Sequence, residues 1–296
     1  MATIGYIGLG TMGLPMAGHL MAGGHDVRGY DVVAEAVEAH VAGGGTAAAS
    51  PAEAADGADF IFTMLPNTPH IRSALFDDDG AAKTMRKDAL YIDMSTINPI
   101  ESDGIRADMG ALGLSMVDAP VGRTSAAARA GKSLIMVGGD KADNERAYPL
   151  FELLGDTIVD CGGPGMGHRM KVVNNYMTTV MTVVTAEALT LSDAVGLNRD
   201  TSLEVMRGTP AGQGCMNTTY PDRVLNKDLT PNFMIDLANK DVGLALALAD
   251  AVNVPLNTGA AARQIYAVAR AQGRGREDWT AVYPVLQGLS GVDPIC

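Results

Sequence analysis

Apolar residues in the first half of the chain follow two alternating patterns. Short apolar runs predict strands, and between them the apolar residues recur every three or four positions, which predicts helices. The predicted strands cover residues 3–8, 26–31, 60–65, 89–94, 115–121 and 133–138. Helices are predicted over 14–22 and 34–42, with further helical segments between most of the later strands. This alternation indicates an α/β fold with a mostly parallel sheet covered by helices on both faces.

The pattern changes at residues 162–167, where the sequence Gly-Gly-Pro-Gly-Met-Gly interrupts any helix or strand. Beyond this point only helices are predicted. They cover residues 170–195, which contain neither Gly nor Pro, and then 201–206, 235–252 and 259–272. We therefore expect two domains: a Rossmann-type domain over residues 1–163 and an all-helical domain over residues 164–296.

A glycine motif of the form Gly-x-Gly-x-x-Gly follows the first predicted strand and opens the first predicted helix. Gly8 allows a tight turn, Gly10 lets the backbone approach a pyrophosphate, and Gly13 lets the helix pack closely on the strand. The intervening Thr11 and Met12 then lie at the positive N-terminal end of the helix, where phosphate groups bind. The motif predicts a dinucleotide site, although glycine-rich turns also occur in other α/β folds.

Three further residues extend this prediction. Asp31 ends the second predicted strand, where a carboxylate can accept a hydrogen bond from a ribose 2′-hydroxyl and repel a 2′-phosphate. The strand, motif, helix, strand and acid together favour NAD as the cofactor. Ligands of open parallel sheets lie beyond the carboxyl ends of the strands. We therefore expect Leu65 and Thr96, at two later strand ends, to contact the cofactor.

The long predicted helix carries a polar stripe of Lys171, Asn174, Asn175 and Thr178, whose spacing places them on one face. Burying unpaired polar groups costs a few kcal/mol each, so this face lies against either solvent or a polar cavity. Two asparagines and a threonine are poor choices for an exposed helix surface, which favours the cavity. A lysine ammonium there can stabilise the charge that hydride transfer builds on a carbonyl oxygen and can donate a proton.

Four motifs together resemble the β-hydroxyacid dehydrogenase family, which includes 3-hydroxyisobutyrate dehydrogenases and tartronate semialdehyde reductases. They lie at residues 8–13, 118–121, 171–175 and 240–241, in the family's order. The resemblance covers essentially the whole chain and implies a Rossmann-type domain, a helical domain and a cleft between them. It also implies that Lys171 transfers the proton, that Asn175 contacts substrate and that Lys240 lies near the nicotinamide.

The chain departs from the family immediately after the motif at 118–121. The family's Ser-Gly-Gly, which holds a substrate carboxylate, is replaced by Gly122, Arg123 and Thr124. Because a guanidinium offers a fixed fork of donors, we expect Arg123 to bind a more demanding anion, together with Asn174 and Thr178. Further segments resemble a branch of the family that acts on a short sulfonated aldehyde. They lie at 120–125, 163–167, 174–177, 233–237 and 273–279. A carboxylate substrate and an outward-turned Arg123 are the alternatives.

Composition narrows the choice of partners. The net charge of −12 argues against nucleic acid, so local cations must hold a small anionic aldehyde or alcohol. Cys161, Cys215 and Cys296 are far apart, and the histidines are scattered, so neither a metal site nor a disulfide is predicted. For His168 we expect a structural or loop role.

Chain-wide patterns also predict location and assembly. The chain begins with a strand pattern rather than a leader, and residues 177–191 are too short and too polar for a membrane span. We therefore expect a cytoplasmic enzyme, and the resemblance implies a homodimer or homotetramer. The segment 273–279 either closes over the active site or is a surface loop.

Overall fold

Nine strands form one sheet in the first of two units, Met1–Tyr176, of this computed structural model. The structure describes every residue from Met1 to Cys296. The strands are β1 (Thr3–Ile7), β2 (Asp26–Tyr30), β3 (Thr46–Ala47), β4 (Phe60–Thr63), β5 (Leu90–Asp93), β6 (Ser115–Asp118), β7 (Val121–Gly122), β8 (Ser133–Gly138) and β9 (Gly155–Gly162). In the order β3-β2-β1-β4-β5-β6 all neighbours are parallel. Strand β8 is antiparallel to β6 and β7 and parallel to β9. The predicted mostly parallel sheet is confirmed.

Helices connect these strands. They are α1 (Gly13–Ala22), α2 (Ala34–Ala42), α3 (Pro51–Ala55), α4 (Thr68–Phe76), α5 (Pro99–Ala111), α6 (Ser125–Arg129) and α7 (Lys141–Leu154), followed by α8 (Met166–Ala194), which continues into the second unit. The side chains of Ser50, Asn67 and Asn98 cap α3, α4 and α5 by accepting a backbone N–H from the first turn. These three caps explain where the connections end and the helices begin.

Successive residues of the central strands enter two different cores. Tyr6 and Phe62 belong to one cluster, and their neighbours Ile7 and Ile61 belong to the other. Side chains alternate between the faces of a sheet, so each face collects its own apolar set and is covered by its own helices. Each fully buried side chain of this size contributes roughly 1.5–3 kcal/mol to folding. The sheet edge that carries the strand ends is therefore rigidly supported from both sides.

The second unit, Met177–Cys296, contains helices and no strand. Its helices after α8 are α9 (Arg199–Arg207), α10 (Pro210–Gln213), α11 (Cys215–Thr218), α12 (Ile235–Ala251), α13 (Asn257–Ala271) and α14 (Val282–Leu289). The only β-type pairing is an isolated bridge between Met234 and Asp278. The all-helical prediction is confirmed. None of the helices of the chain combines the length and the apolar character that a membrane crossing requires.

The segment 273–279 is packed within the second unit. The carbonyls of Gly275 and Glu277 accept the N–H groups of Asp236 and Ile235 at 2.9 and 3.0 Å. The Trp279 ring meets Phe233 edge to face, with the centroids 5.6 Å apart. These contacts favour the surface-loop alternative over a lid.

Two differences from the predicted elements have physical causes. Strand β9 was not predicted because it is a half-exposed edge strand that carries Asp156 and Asp160, so it lacks a continuous apolar run. Helix α8 begins at Met166 and includes Gly167, although the glycine cluster predicts a break. The units divide between Tyr176 and Met177, inside this helix, so its first turns belong to the sheet-containing unit. The boundary near residue 163 stays a prediction.

Candidate active site

The glycine motif forms a loop in which two positions exclude any side chain. Gly8 has φ +99, and a Cβ there would lie 2.3 Å from the carbonyl oxygen of Met64. A Cβ on Gly13 would lie 1.9 Å from the carbonyl oxygen of Gly8. Gly10 is different, because a Cβ there would meet nothing within 4 Å. Gly8 and Gly13 therefore build the loop, and Gly10 leaves open space in front of it.

Backbone donors face that open space. The N–H groups of Gly10, Thr11 and Met12 donate no hydrogen bond within the protein. They precede helix α1, whose N-terminus carries a partial positive charge. Donors of this kind at a helix N-terminus match the needs of a pyrophosphate. The residues present therefore fit the dinucleotide predicted from the motif.

A cleft of about 980 Å³ opens beside the loop and is lined by Gly8, Gly10, Asp31 and Leu65. The Asp31 carboxylate accepts the Leu9 N–H at 2.6 Å and the Val33 N–H at 2.9 Å. Both oxygens keep a further lone pair, so this fixed carboxylate can still accept a ribose hydroxyl.

Further acidic residues line the same cleft, and no lysine or arginine does. Asp78 lies 3.4 Å from Lys83, whereas Asp77 and Asp79 have no cationic partner. The pattern in the sequence did not identify these aspartates, because nothing local shows that this loop reaches the cleft. Negative charge here opposes a 2′-phosphate, which agrees with NAD as the cofactor.

The two predicted strand-end contacts lie in different cavities. Leu65 lines the large cleft, and its N–H donates to the Ser95 hydroxyl at 2.9 Å. Thr96 lines a second cavity of about 520 Å³ with Asn67 and Val172, where helices α4 and α5 begin. The structure brings Leu65, but not Thr96, to the cleft that contains the glycine loop.

Lys171 is 9% exposed on the first turns of α8. Burial lowers the pKa of its ammonium group, and no carboxylate pairs with it. One turn earlier, the fully buried His168 lies 3.4 Å from Asp93 and 4.0 Å from Asp118, which end strands β5 and β6. His168 and Lys171 share a helix face, so the lysine lies towards the carboxyl edge of the sheet. His168 has the structural role that we expect, although the sequence did not reveal its partners.

The remaining residues of the polar stripe are less buried than Lys171. Asn174 and Thr178 are exposed and Asn175 is half-buried. The apolar residues Val173 and Tyr176 are also exposed, at 63% and 70%. Polar and apolar residues of this helix are thus exposed to a similar degree. The substrate contacts of Asn174, Asn175 and Thr178 stay predictions.

Lys240 belongs to the second unit, on helix α12. Its side chain is 58% exposed and its Nζ lies 2.9 Å from the Asp241 carboxylate. The predicted proximity of Lys240 to the nicotinamide stays a prediction.

The Arg123 side chain has partners within the protein. Its guanidinium donates to the Lys132 carbonyl at 2.6 Å, to the Thr157 hydroxyl at 3.0 Å and to the Asp156 carboxylate. These groups lie before β8 and on the edge strand β9. Sequence reasoning missed them because they approach Arg123 only through the sheet pairing. The predicted contact of Arg123 with the substrate anion stays a prediction.

The backbone at Arg123 has a conformation that is unusual for a residue with a side chain. Arg123 has φ +71, in the left-handed region that favours glycine, the residue that the family resemblance places at this position. Gly122 ends β7 as a buried residue, and Thr124 is exposed just before α6. The loop therefore matches a backbone nest, with the arginine side chain directed away along β9.

Two family models cover most of the chain. The model of the NAD binding domain of 6-phosphogluconate dehydrogenase matches residues 3–163. The model of the NAD-binding domain of NADP-dependent 3-hydroxyisobutyrate dehydrogenase matches residues 165–286. Both assign nicotinamide dinucleotide binding to this chain, and NAD is its cofactor.

Relatives cover the chain from end to end. The 3-sulfolactaldehyde reductase of Escherichia coli (strain K12) is 49% identical over 99% of this chain and 98% of its own. The NAD-dependent L-serine dehydrogenase of Pseudomonas aeruginosa is 36% identical over 98% of this chain and 100% of its own. A structure of Mycobacterium tuberculosis 3-hydroxyisobutyrate dehydrogenase with L-serine aligns at TM-score 0.68 and 33% identity, over 97% of this chain and 99% of that one. The chain is an NAD-dependent oxidoreductase of the β-hydroxyacid dehydrogenase family.

Proposed function

We propose that the chain reduces 3-sulfolactaldehyde to 2,3-dihydroxypropane-1-sulfonate, reversibly, with Lys171 as general acid and base. The observation that carries this proposal is the 49% identity to a 3-sulfolactaldehyde reductase over 99% of the chain. NADH, when bound, supplies the hydride that the aldehyde carbon receives. The reaction would place the chain in the breakdown of sulfoquinovose.

Lys171 supplies the proton in this proposal. Negative charge develops on the aldehyde oxygen as the hydride arrives, and a nearby ammonium stabilises that charge and donates its proton. In the reverse direction the same side chain accepts the proton of the alcohol as a neutral amine. Burial lowers the pKa of Lys171, which makes the neutral amine more accessible than for a lysine in water.

The substrate anion is proposed to bind at the loop of Gly122 and Thr124 and at the helix side chains Asn174 and Asn175. Backbone N–H groups in a left-handed turn form a nest that suits an oxyanion. We assign Arg123 an indirect role, because its guanidinium N–H groups already donate to Asp156, Thr157 and the Lys132 carbonyl.

A carboxylate substrate is the second candidate. It is favoured by one observation, namely that the guanidinium expected to distinguish a sulfonate is engaged by Asp156. Suitable carboxylates are 3-hydroxyisobutyrate, tartronate semialdehyde and succinate semialdehyde. The predicted cytoplasmic location and homodimeric or homotetrameric assembly do not discriminate between the two candidates.

A substrate panel tests the choice. Initial rates are measured for 3-sulfolactaldehyde, tartronate semialdehyde and succinate semialdehyde with NADH and with NADPH. The proposal expects kcat/KM for the sulfonate to exceed that for each carboxylate by about 100-fold, or roughly 2.7 kcal/mol of transition-state binding. Comparable or higher values for a carboxylate would transfer the assignment to the second candidate.

Lys171→Ala tests the chemistry separately from the substrate. General acid–base groups contribute about 10²–10⁴ to rate, so kcat should fall within that range while NADH binding is retained. If the wild-type protein bound NADH but turned over none of the three aldehydes, the chain would instead be a sensor of the dinucleotide.

A further inference from the structure

Helix α8 is capped by a residue of the sheet rather than by its own sequence. Asp118, the last residue of β6, accepts the N–H of Gly165 at 2.7 Å and that of His168 at 2.9 Å. The first N–H groups of a helix need such acceptors, and negative charge stabilises the N-terminus. Arg106 donates to the same carboxylate at 2.6 Å. One fully buried side chain therefore fixes where the lysine-bearing helix starts.

The contact between this helix and the sheet leaves no space for side chains. A Cβ on Gly167 would lie 2.4 Å from the Met136 carbonyl and 2.6 Å from that of Asp118. A Cβ on Gly138, at the end of β8, would lie 2.4 Å from the Gly167 nitrogen. The first turn of α8 thus rests directly on strand backbone. This contact sets the distance of the helix from the sheet. Its rotation is constrained by the two hydrogen bonds to Asp118 and by the side chains of the first turn.

Two side chains of this turn tie it to neighbouring elements. Arg169 pairs with Asp103 of α5 at 2.6 Å at the surface, and His168 is the fully buried one. It is 0% exposed, and its Nδ1 lies 2.8 Å from the Ser102 hydroxyl of α5. Its Nε2 lies 3.4 Å from the Asp93 Oδ2, and neither of these two buried atoms has a hydrogen-bond partner. The other Asp93 oxygen accepts the Thr63 hydroxyl at 3.0 Å and the Ser95 N–H at 2.9 Å. The imidazole therefore lies between a buried carboxylate and a helix hydroxyl.

We propose that His168 is a positioning residue for Lys171, setting the rotation of α8 that directs the ammonium group to the reacting oxygen. The proposal rests on the proposed function of Lys171. Residues three apart lie on one helix face about 5–6 Å apart, so a rotation released at His168 displaces Lys171 directly. A misplacement of about 1 Å at a reacting group can cost on the order of 10²-fold in rate.

The test compares His168→Leu with His168→Gln. The leucine variant loses both polar contacts, whereas the amide nitrogen of glutamine takes the place of Nε2 and can still donate to Asp93. We expect His168→Leu to lower kcat by about 10- to 100-fold with the NADH dissociation constant changed less than about 3-fold. His168→Gln should recover most of kcat. His40→Gln is the matched control, because His40 is equally buried in the same unit and bonds the Val27 carbonyl at 3.1 Å.

A double-mutant cycle separates positioning from general damage. In a Lys171→Ala background, with turnover restored by added ethylamine, His168→Leu has no lysine left to position. We expect the rescued rate to change less than about 2-fold, and the residual Lys171→Ala rate serves the same purpose if the amine is ineffective. A loss equal to that in the wild type would overturn the positioning role. An unaffected Lys171→Ala enzyme would instead overturn the proposed function.

Discussion

The glycine loop at Gly8 and the loop at Arg123 both follow a strand end, and they differ in what determines their structure. In the first loop, backbone atoms at 1.9 and 2.3 Å from the sites of a Cβ require glycine. In the second, Arg123 adopts a left-handed backbone conformation, and Asp156 and Thr157 stabilise it by accepting hydrogen bonds from its side chain. The first loop is determined by backbone sterics, within the loop at Gly13 and against the end of β4 at Gly8, and the second by a side-chain contact with β9. Substitutions in the two loops should therefore behave differently.

Gly13→Ala should have the largest effect in the cofactor loop. The added methyl group meets the Gly8 carbonyl, so the loop must open, and NADH affinity should fall at least about 100-fold with a lower unfolding temperature. Gly10→Ala should also weaken NADH binding but leave the unfolding temperature unchanged, because its Cβ meets no protein atom within 4 Å. Fluorescence titration and thermal unfolding measure the two effects.

Gly18→Ala is the control for both variants, since it adds a methyl group to the same helix where nothing lies within 4 Å. Binding and stability should stay at the wild-type level or improve slightly. A Gly13→Ala protein that bound NADH like this control would contradict the steric account of the loop.

Arg123→Gly should have an intermediate effect. Glycine accepts φ +71, so this variant removes the side chain without straining the backbone. If Arg123 only holds the loop against β9, Arg123→Gly and Asp156→Asn should each raise KM about 10-fold, and the double variant should be no worse. A direct sulfonate contact would give the opposite pattern: Asp156→Asn would lower KM for the sulfonate, and Arg123→Gly would raise it for the sulfonate alone.

Neutralising Asp77 and Asp79 should have a smaller effect, of about 2- to 5-fold, on cofactor choice. Removing these two charges from the cleft weakens the repulsion of a 2′-phosphate, which salt already screens in part. The ratio of kcat/KM for NADPH to that for NADH should rise in Asp77→Asn/Asp79→Asn. Asp200→Asn, in the second unit, removes one exposed charge and should leave the ratio unchanged.

Whether the sequence predicted a residue's role depends on how far apart in the chain the interacting residues lie. The steric requirement at Gly13 arises within one strand-turn-helix unit, because a Cβ there meets the Gly8 carbonyl. Gly8 and Asp31 contact the end of β4 and the Leu9 N–H, and the spacing of the motif still singled them out. The parallel sheet and the helical second unit followed in the same way from local periodicity.

The partners of His168 and Arg123 were not predictable in this way. His168 meets Asp93 and Ser102 only when strand β5 and helix α5 are in place, and Arg123 meets Asp156 only when β9 joins the sheet. No local pattern encodes a contact between residues so far apart in the chain. The same reasoning explains why the sequence missed Asp77 and Asp79 in the cleft.

The pH dependence of both reaction directions tests the role of Lys171 most directly. Burial lowers the pKa of Lys171, so its ammonium is lost at a pH below the ordinary value of about 10.4. Aldehyde reduction needs the charged form and should decline as pH rises through that pKa, while alcohol oxidation needs the neutral form and should increase over the same range. The account predicts one shared midpoint below about 10.4 that disappears in Lys171→Ala. If reduction still declined and oxidation still increased over the same pH range in Lys171→Ala, the role of Lys171 would be contradicted.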